Sequence, residues 1–295
     1  VPETSFAALE RALEEKRLRV EAALARLAPR EGSPDVEAAI AHSLFAPAKR
    51  LRPVLALLVA EVLRAESAPV LPAACAVEMV HTASLILDDL PSMDDASRRR
   101  GRPACHVAHG EANAILAAFA LINRAFEVLA EDDGALATGT RLNLARELAA
   151  AVGLQGMIAG QAADLAFTDR AVDFATLEYI HSRKTGALFT CCAALGAAAG
   201  GAHDDERRAL VAYAKNLGLA FQIVDDLLDA VGGTEAGKDL RQDLRKTTFV
   251  SFAGVEGARQ IARELIETSI AALAGFSDRA EPLRELARYV VARPR

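Results

Sequence analysis

Hydrophobic positions recur at helical spacing along almost the whole chain. Phe6, Leu9, Leu13, Val20, Leu24 and Leu27 fall on one stripe and predict an amphipathic helix over 4–28. Glu31-Gly32-Ser33-Pro34 reads as a turn, with Ser33 as a cap and Pro34 at the first position of the next helix. Pro53 opens a helix to about Glu66, and Pro72 opens another that runs into an acidic cluster. Residues 91–103 read as a loop or helix end closing on Gly101-Arg102-Pro103. Further helices are predicted over 111–131, 137–163, 173–200, 204–231, 255–274 and 279–292. Gly232-Gly233 ends the helix before a polar loop over 232–248. No run of alternating β-branched residues argues for a strand. The expected class is all-α: a single domain over 1–295, built as a large helical bundle of about ten or more helices.

Composition agrees. At 295 residues and 52% hydrophobic, the chain can bury one large core without needing a second domain. Long stretches of Ala, Leu, Glu and Arg favour helix by intrinsic propensity. A net charge of −6 argues against a nucleic-acid partner. Cys75, Cys105, Cys191 and Cys192 show no metal-ligand or disulfide spacing; vicinal Cys191-Cys192 reads as small apolar packing, and a reducing cytoplasm fits. Val1 to Arg30 is charged throughout, unlike a signal peptide. The most apolar stretch, Ala187 to Ala202, is too short and Gly-rich for a bilayer, so no integral membrane segment is expected.

Two aspartate clusters change the picture from fold to chemistry. Asp88-Asp89-Leu90-Pro91-Ser92-Met93-Asp94-Asp95 is followed by Arg98, Arg99 and Arg100. Asp225-Asp226-Leu227-Leu228-Asp229 is followed by Lys238 and Asp239. Both grow out of apolar helical sequence, where crowded carboxylates repel and are costly to desolvate without a counter-charge. Hard divalent cations answer that need, and Mg²⁺ bridges carboxylates to phosphates. His81, Ser84 and Asp88 share one helix face; Gln222, Asp225 and Asp229 share another. Two such helices facing across a bundle would present converging carboxylates able to hold several Mg²⁺ ions and grip a diphosphate. A lone acidic run is usually a solvated helix end. Two on apolar helices, joined by the arginines and by Lys49-Arg50-Leu51-Arg52, argue for phosphate chemistry.

The motifs resemble those of the trans-isoprenyl diphosphate synthases from about Ala46 to Phe249. Asp88-Asp89 with Asp94 matches the longer form of the family's first aspartate motif, and Arg99-Arg100-Gly101-Arg102-Pro103 matches its tail. Phe221-Gln222 and Asp225-Asp226-Leu227-Leu228-Asp229 match the second motif. Gly160-Gln161-Ala162-Ala163-Asp164, Lys184-Thr185-Gly186 and Gly237-Lys238-Asp239 match three shorter ones. The resemblance implies a bundle of the isoprenoid synthase type with a central active-site cavity, a homodimer, and Mg²⁺, three ions per site. It implies metal ligation by Asp88, Asp89 and Asp94 on one side and by Asp225 and Asp229 on the other. Arg99, Lys184 and Lys238 would contact the allylic diphosphate. Lys49, Arg52, His81 and Arg100 would hold isopentenyl diphosphate, and Thr185 and Gln222 would lie near the allylic carbocation. The implied reaction is head-to-tail condensation of these two diphosphates.

Departures bear on product length. Pro47-Ala48 stands where relatives have Gly-Gly, and Leu87 where many have His. Farnesyl-forming bacterial relatives often have Tyr at the position of Ala83; with Ser84 beside it, Ala83 leaves space for a tail, which favours C20 geranylgeranyl over C15 farnesyl diphosphate. Phe119 either packs in the core or projects into the tunnel and stops growth early. A silent regulatory subunit is the alternative from another class, and intact carboxylates argue against it. A terpene cyclase or head-to-head synthase is disfavoured by the matched isopentenyl site.

Overall fold

Helix follows helix through residues 6–66, 68–131, 134–232 and 246–292, the parts of the chain described by this computed structural model. The elements run α1 (Ala7–Leu27), α2 (Pro34–Leu44), α3 (Leu51–Val62), α4 (Leu71–Asp88), a hairpin of β1 (Arg98–Arg99) and β2 (Arg102–Pro103), and α5 (Cys105–His109). They continue with α6 (Glu111–Ala130), α7 (Thr138–Val152), α8 (Met157–Ala166), α9 (Phe174–Lys184) and α10 (Gly186–Ala199). Then come α11 (Asp204–Gly232), α12 (Phe249–Ala272), a 3₁₀ turn at Asp278–Ala280 and α13 (Glu281–Ala292). The all-α class is as expected.

The apolar stripes explain the packing. In α11, Leu210, Tyr213, Ala214, Leu217, Ala220, Val224 and Leu227 return every three or four residues, and all are buried. The Tyr213 hydroxyl, which a core must satisfy, donates to Leu283 O at 2.6 Å. The small-residue helix α10 lies at the centre, with Cys191 and Cys192 buried and unpaired. It packs against α3, α4, α7, α9 and α11. At Gly196 a β-carbon would come within 2.4 Å of Ala56 O, so α10 and α3 meet nearly backbone to backbone. Among the described residues, α4 and α6, unlike the shorter α10, are long and apolar enough to cross a membrane by length and composition. Here α4 is a core helix with α6 packed on it.

Several boundaries differ from expectation. The helix expected over 137–163 is two, because the chain leaves α7 at Gly153 (ψ −169°) and re-enters helix at Met157. The helix expected over 173–200 breaks at Thr185 (φ −104°), between α9 and α10. Residues 98–103 form a two-residue hairpin, with Arg98 paired to Pro103 and Arg99 to Arg102. Its tip, Arg100 (φ 52°) and Gly101 (φ 75°), takes two left-handed residues as a type I′ turn does. Helix α3 starts at Leu51 rather than Pro53. Before it, left-handed Arg50 turns inward, donating to Glu78 (2.7 Å) and Leu44 O (2.5 Å).

Candidate active site

The first cluster is built by the way α4 stops. Past Asp88 the chain curls back: Asp94 N donates to Asp88 O (2.9 Å), Asp95 N to Leu90 O (3.0 Å) and Ala96 N to Asp89 O (3.1 Å). The five intervening residues are thus a closed turn that returns Asp94 to Asp88. Asp89 has a different partner from the metal expected of it. It is buried, and Arg99 holds it through Nε at 3.0 and 3.2 Å and through Nη2. Burial raises the Asp89 pKa, with Arg99 opposing; burial also works against the Arg99 charge, but Asp89 outweighs it and raises the guanidinium. Arg99, expected to meet diphosphate, is engaged here in fastening the hairpin to α4.

The second cluster repeats the plan. Asp226 accepts from Gln222 Nε2 (3.0 Å) and from Phe249 N (3.0 Å), so it pins the start of α12. Burial lifts its pKa to about 6, against the two hydrogen bonds. In each cluster the second aspartate is held by hydrogen bonds from the protein itself. The first and last, Asp88 and Asp94 or Asp225 and Asp229, are half-buried.

Lys184 and Thr185 join the two sides. Lys184 Nζ lies 2.7 Å from Asp164 Oδ2 and 3.8 Å from Asp88 Oδ2, while the Thr185 hydroxyl donates to Gln222 Oε1 at 3.0 Å. Asp164 comes from α8, which approaches closely because position 160 is glycine: a β-carbon there would lie 2.1 Å from Lys184 N. A second ammonium, Lys246 Nζ, bridges Asp94 Oδ1 (2.7 Å) and Asp164 Oδ2 (2.8 Å). Burial alone would raise the Asp164 pKa, but the two lysines outweigh it and the carboxyl is lowered. Asp88 is raised, chiefly by burial. The sequence reading gave Asp164 no role and missed Lys246; the only signal for the latter was a lysine in the polar loop after the second cluster.

A basic group forms around His81, two turns before Asp88 on the same stripe of α4. Arg52 Nη1 lies 3.1 Å from His81 Nε2, and the guanidinium sits 4.8 Å from the Phe189 ring centroid. His81 is held well below its usual range by burial and then by Arg52, Arg100, Arg99 and Arg50. Arg100, exposed at the hairpin tip, is lowered too, by loss of water around part of its side chain first, with Glu78 opposing and Arg50, Arg99 and Arg52 adding. Glu78 and Asp89 pair with Arg50 and Arg99, which leaves Arg52, His81 and Arg100 crowded together as a candidate anion site. Lys49 departs from expectation: it is exposed and lines a groove with Glu10, Glu14 and Arg17 of α1 and Tyr289 of α13. Lys238 lies outside the described residues.

Of the residues expected to set chain length, Ser84 is half-buried on the stripe of His81 and Asp88, and Ala83 is fully buried. Phe119 is neither core nor tunnel. It is 66% exposed on the outer face of α6, beside Ile115 and Leu116.

Among the described residues no three His, Cys, Asp or Glu side chains converge as a ready metal cage. That suits Mg²⁺, which usually takes one or two carboxylates and completes its shell with water and phosphate oxygens. The ammonium at Asp94 shows that the carboxylate attracts a cation.

A polyprenyl synthetase family model matches residues 33–281. The chain is 45% identical over 238 residues to the farnesyl diphosphate synthase of Geobacillus stearothermophilus, covering 80% of each chain. It is 43% identical over 234 residues to the geranylgeranyl diphosphate synthase of Pantoea ananas, covering 78% of this chain and 76% of that one. Its fold matches the apo structure of an FPP/GFPP synthase from Zymomonas mobilis with a TM-score of 0.86, at 36% identity over 96% of this chain and 99% of the other. The chain belongs to the polyprenyl synthetase family: it is a trans-isoprenyl diphosphate synthase, a prenyltransferase that makes short-chain prenyl diphosphates.

Proposed function

We propose that this prenyltransferase condenses isopentenyl diphosphate with allylic diphosphates, in a Mg²⁺-dependent reaction, to give C20 geranylgeranyl diphosphate. Magnesium held by Asp88 and Asp94 on one side and Asp225 and Asp229 on the other would supply Lewis-acid stabilisation of the leaving diphosphate. Lys184 adds positive charge on the same side, in a half-buried setting where it counts for more than in water. Arg52, His81 and Arg100 hold the second diphosphate. As the allylic C–O bond breaks, the Thr185 hydroxyl and Gln222 amide face the cation with their oxygens. The isopentenyl double bond attacks C1, and the departing diphosphate takes the proton. The apolar bundle keeps water from the cation.

The observation that favours C20 is the position of Phe119. The one bulky residue that threatened an early stop points outward, leaving the small pair Ala83 and Ser84 below Asp88. C15 is the alternative, since the Geobacillus relative carries the farnesyl name. Incubating the purified protein with Mg²⁺, isopentenyl diphosphate and a C5, C10 or C15 primer, then measuring product carbon number, decides between them. Growth that ends at C15 would overturn the C20 reading.

We also propose a homodimer. The outer face of α6 exposes Ile115, Leu116 and Phe119 together, an apolar patch of the kind that marks an interface. The free, buried cysteines agree with a reducing cytoplasm.

A further inference from the structure

Lys246 lies against Asp94, a carboxylate proposed to hold metal. Its ammonium lies 2.7 Å from Asp94 Oδ1 and 2.8 Å from Asp164 Oδ2, so it ties three segments: the turn after α4, helix α8 and the approach to α12. Lys184 shares the same Asp164 oxygen at 2.7 Å. Three carboxylates, Asp88, Asp94 and Asp164, therefore face two ammonium groups before any ligand arrives. A divalent ion is disfavoured at Asp94 while an ammonium lies against Oδ1, because like charges repel and the ammonium already neutralises the carboxylate. An incoming diphosphate offers that ammonium another partner without moving it away from Asp164.

We propose that Lys246 is an internal counter-ion that competes with the metal for Asp94, and that Asp164 is the positioning residue that keeps it in reach. Metal alone then binds weakly to the first cluster. Diphosphate draws Lys246 off Asp94 and clears the carboxylate, so metal and diphosphate load together. The inference rests on the proposed metal role of Asp94, and it assigns to this chain's own lysine the coupling between the two ligands.

The test is Mn²⁺ binding to the protein without substrate, with free Mn²⁺ counted by electron paramagnetic resonance. Lys246→Gln and Lys246→Met, each confirmed folded by its melting curve, should bind Mn²⁺ about fivefold or more tightly than wild type, the lower end of ordinary coupling between sites. Their affinity for inorganic diphosphate in metal-free buffer should fall. Lys215→Gln, an exposed lysine on α11, controls for simple loss of positive charge and should leave Mn²⁺ binding unchanged. Unaltered Mn²⁺ affinity in both Lys246 variants would overturn the proposal, and so would an equal gain in Lys215→Gln. Condensation assayed on the same wild-type preparation reports separately on the proposed function, so the two can fail independently.

Discussion

Lys184 and Thr185 are neighbours in sequence and bond to opposite sides of the site, Lys184 to Asp164 beside the first cluster and Thr185 to Gln222 beside the second. One peptide unit at the α9–α10 break thereby sets the separation of the two acidic helices. Asp88→Ala and Asp225→Ala should each lower turnover by roughly 10²–10³-fold, the scale of losing one electrostatic stabiliser of a transition state. Neither should change the helical circular dichroism, because neither carboxylate is a core contact. Near-normal steady-state rates in either variant would remove that residue from the site.

Arg52 is held from two sides, by His81 and by the face of Phe189. Arg52→Ala should raise the KM for isopentenyl diphosphate by about tenfold or more, the scale of a lost charge-assisted contact. The KM for the allylic primer should move much less. Initial rates with each substrate varied in turn make the comparison, and an equal or reversed effect would assign Arg52 to the allylic side.

The buried imidazole of His181 gives an acid-side instability. Burial lowers its pKa from 6.5 to about 4, with Asp164 opposing and Lys184 and Lys246 adding. A base lowered in the folded state leaves stability intact above its unfolded value of 6.5 and removes it as pH falls towards 4. The loss amounts to between about 1 and 3 kcal/mol, the lower end because the ring keeps some exposure. Urea melts at pH 7.5 and at about pH 4.5 should show a smaller difference in His181→Phe, which keeps a ring against Phe249. An identical difference would exclude His181 as a source.

Phe119→Asp places a charge in the exposed patch of α6. Light scattering at micromolar concentration should show a fall from dimer towards the 31.2 kDa monomer. Product length should not change through the tunnel, because the ring does not line it. A wild-type protein already monomeric would end the dimer proposal.

Ala83→Tyr should shift product from C20 towards C15. Since Ala83 has no exposed surface, the ring must push neighbouring core side chains aside, at a cost of about 1–3 kcal/mol in stability. Chromatography of the extracted alcohols reads the shift, and an unchanged product would show that the tail does not run past Ala83.

The bundle and both acidic clusters were legible in sequence because helical periodicity and adjacent carboxylates are local patterns. What escaped was long-range or single-residue geometry. The break at Thr185 carries no Gly or Pro before it. The hairpin at Arg98–Pro103 is too short to show alternation. The motif also presents Asp88 and Asp89 alike; only the reach of Arg99, ten residues on, gives Asp89 a partner that Asp88 lacks. Lys49 and Arg52 stand three apart, and yet the left-handed turn at Arg50 accompanies their separation, with Lys49 towards α1 and Arg52 towards His81. In sequence Phe119 is open to reading as core packing or as a tunnel residue; Ala117, Ala118 and Leu121 beside it are buried, while position 119 falls on the other side of α6.

The hydrogen atom at Gly160 has a reach beyond its size. Since α8 touches the backbone at Lys184 there, the two main chains that carry Asp164 and Lys184 are held in contact. The backbone frame of this part of the site is fixed, and a diphosphate meets it with only the lysine side chains free to shift. Adaptation to different allylic tails is left to the apolar end of the bundle, where it can change without redrawing the charges. One headgroup template can in this way serve primers of several lengths, and tail capacity can diverge among relatives while the ionic end stays the same.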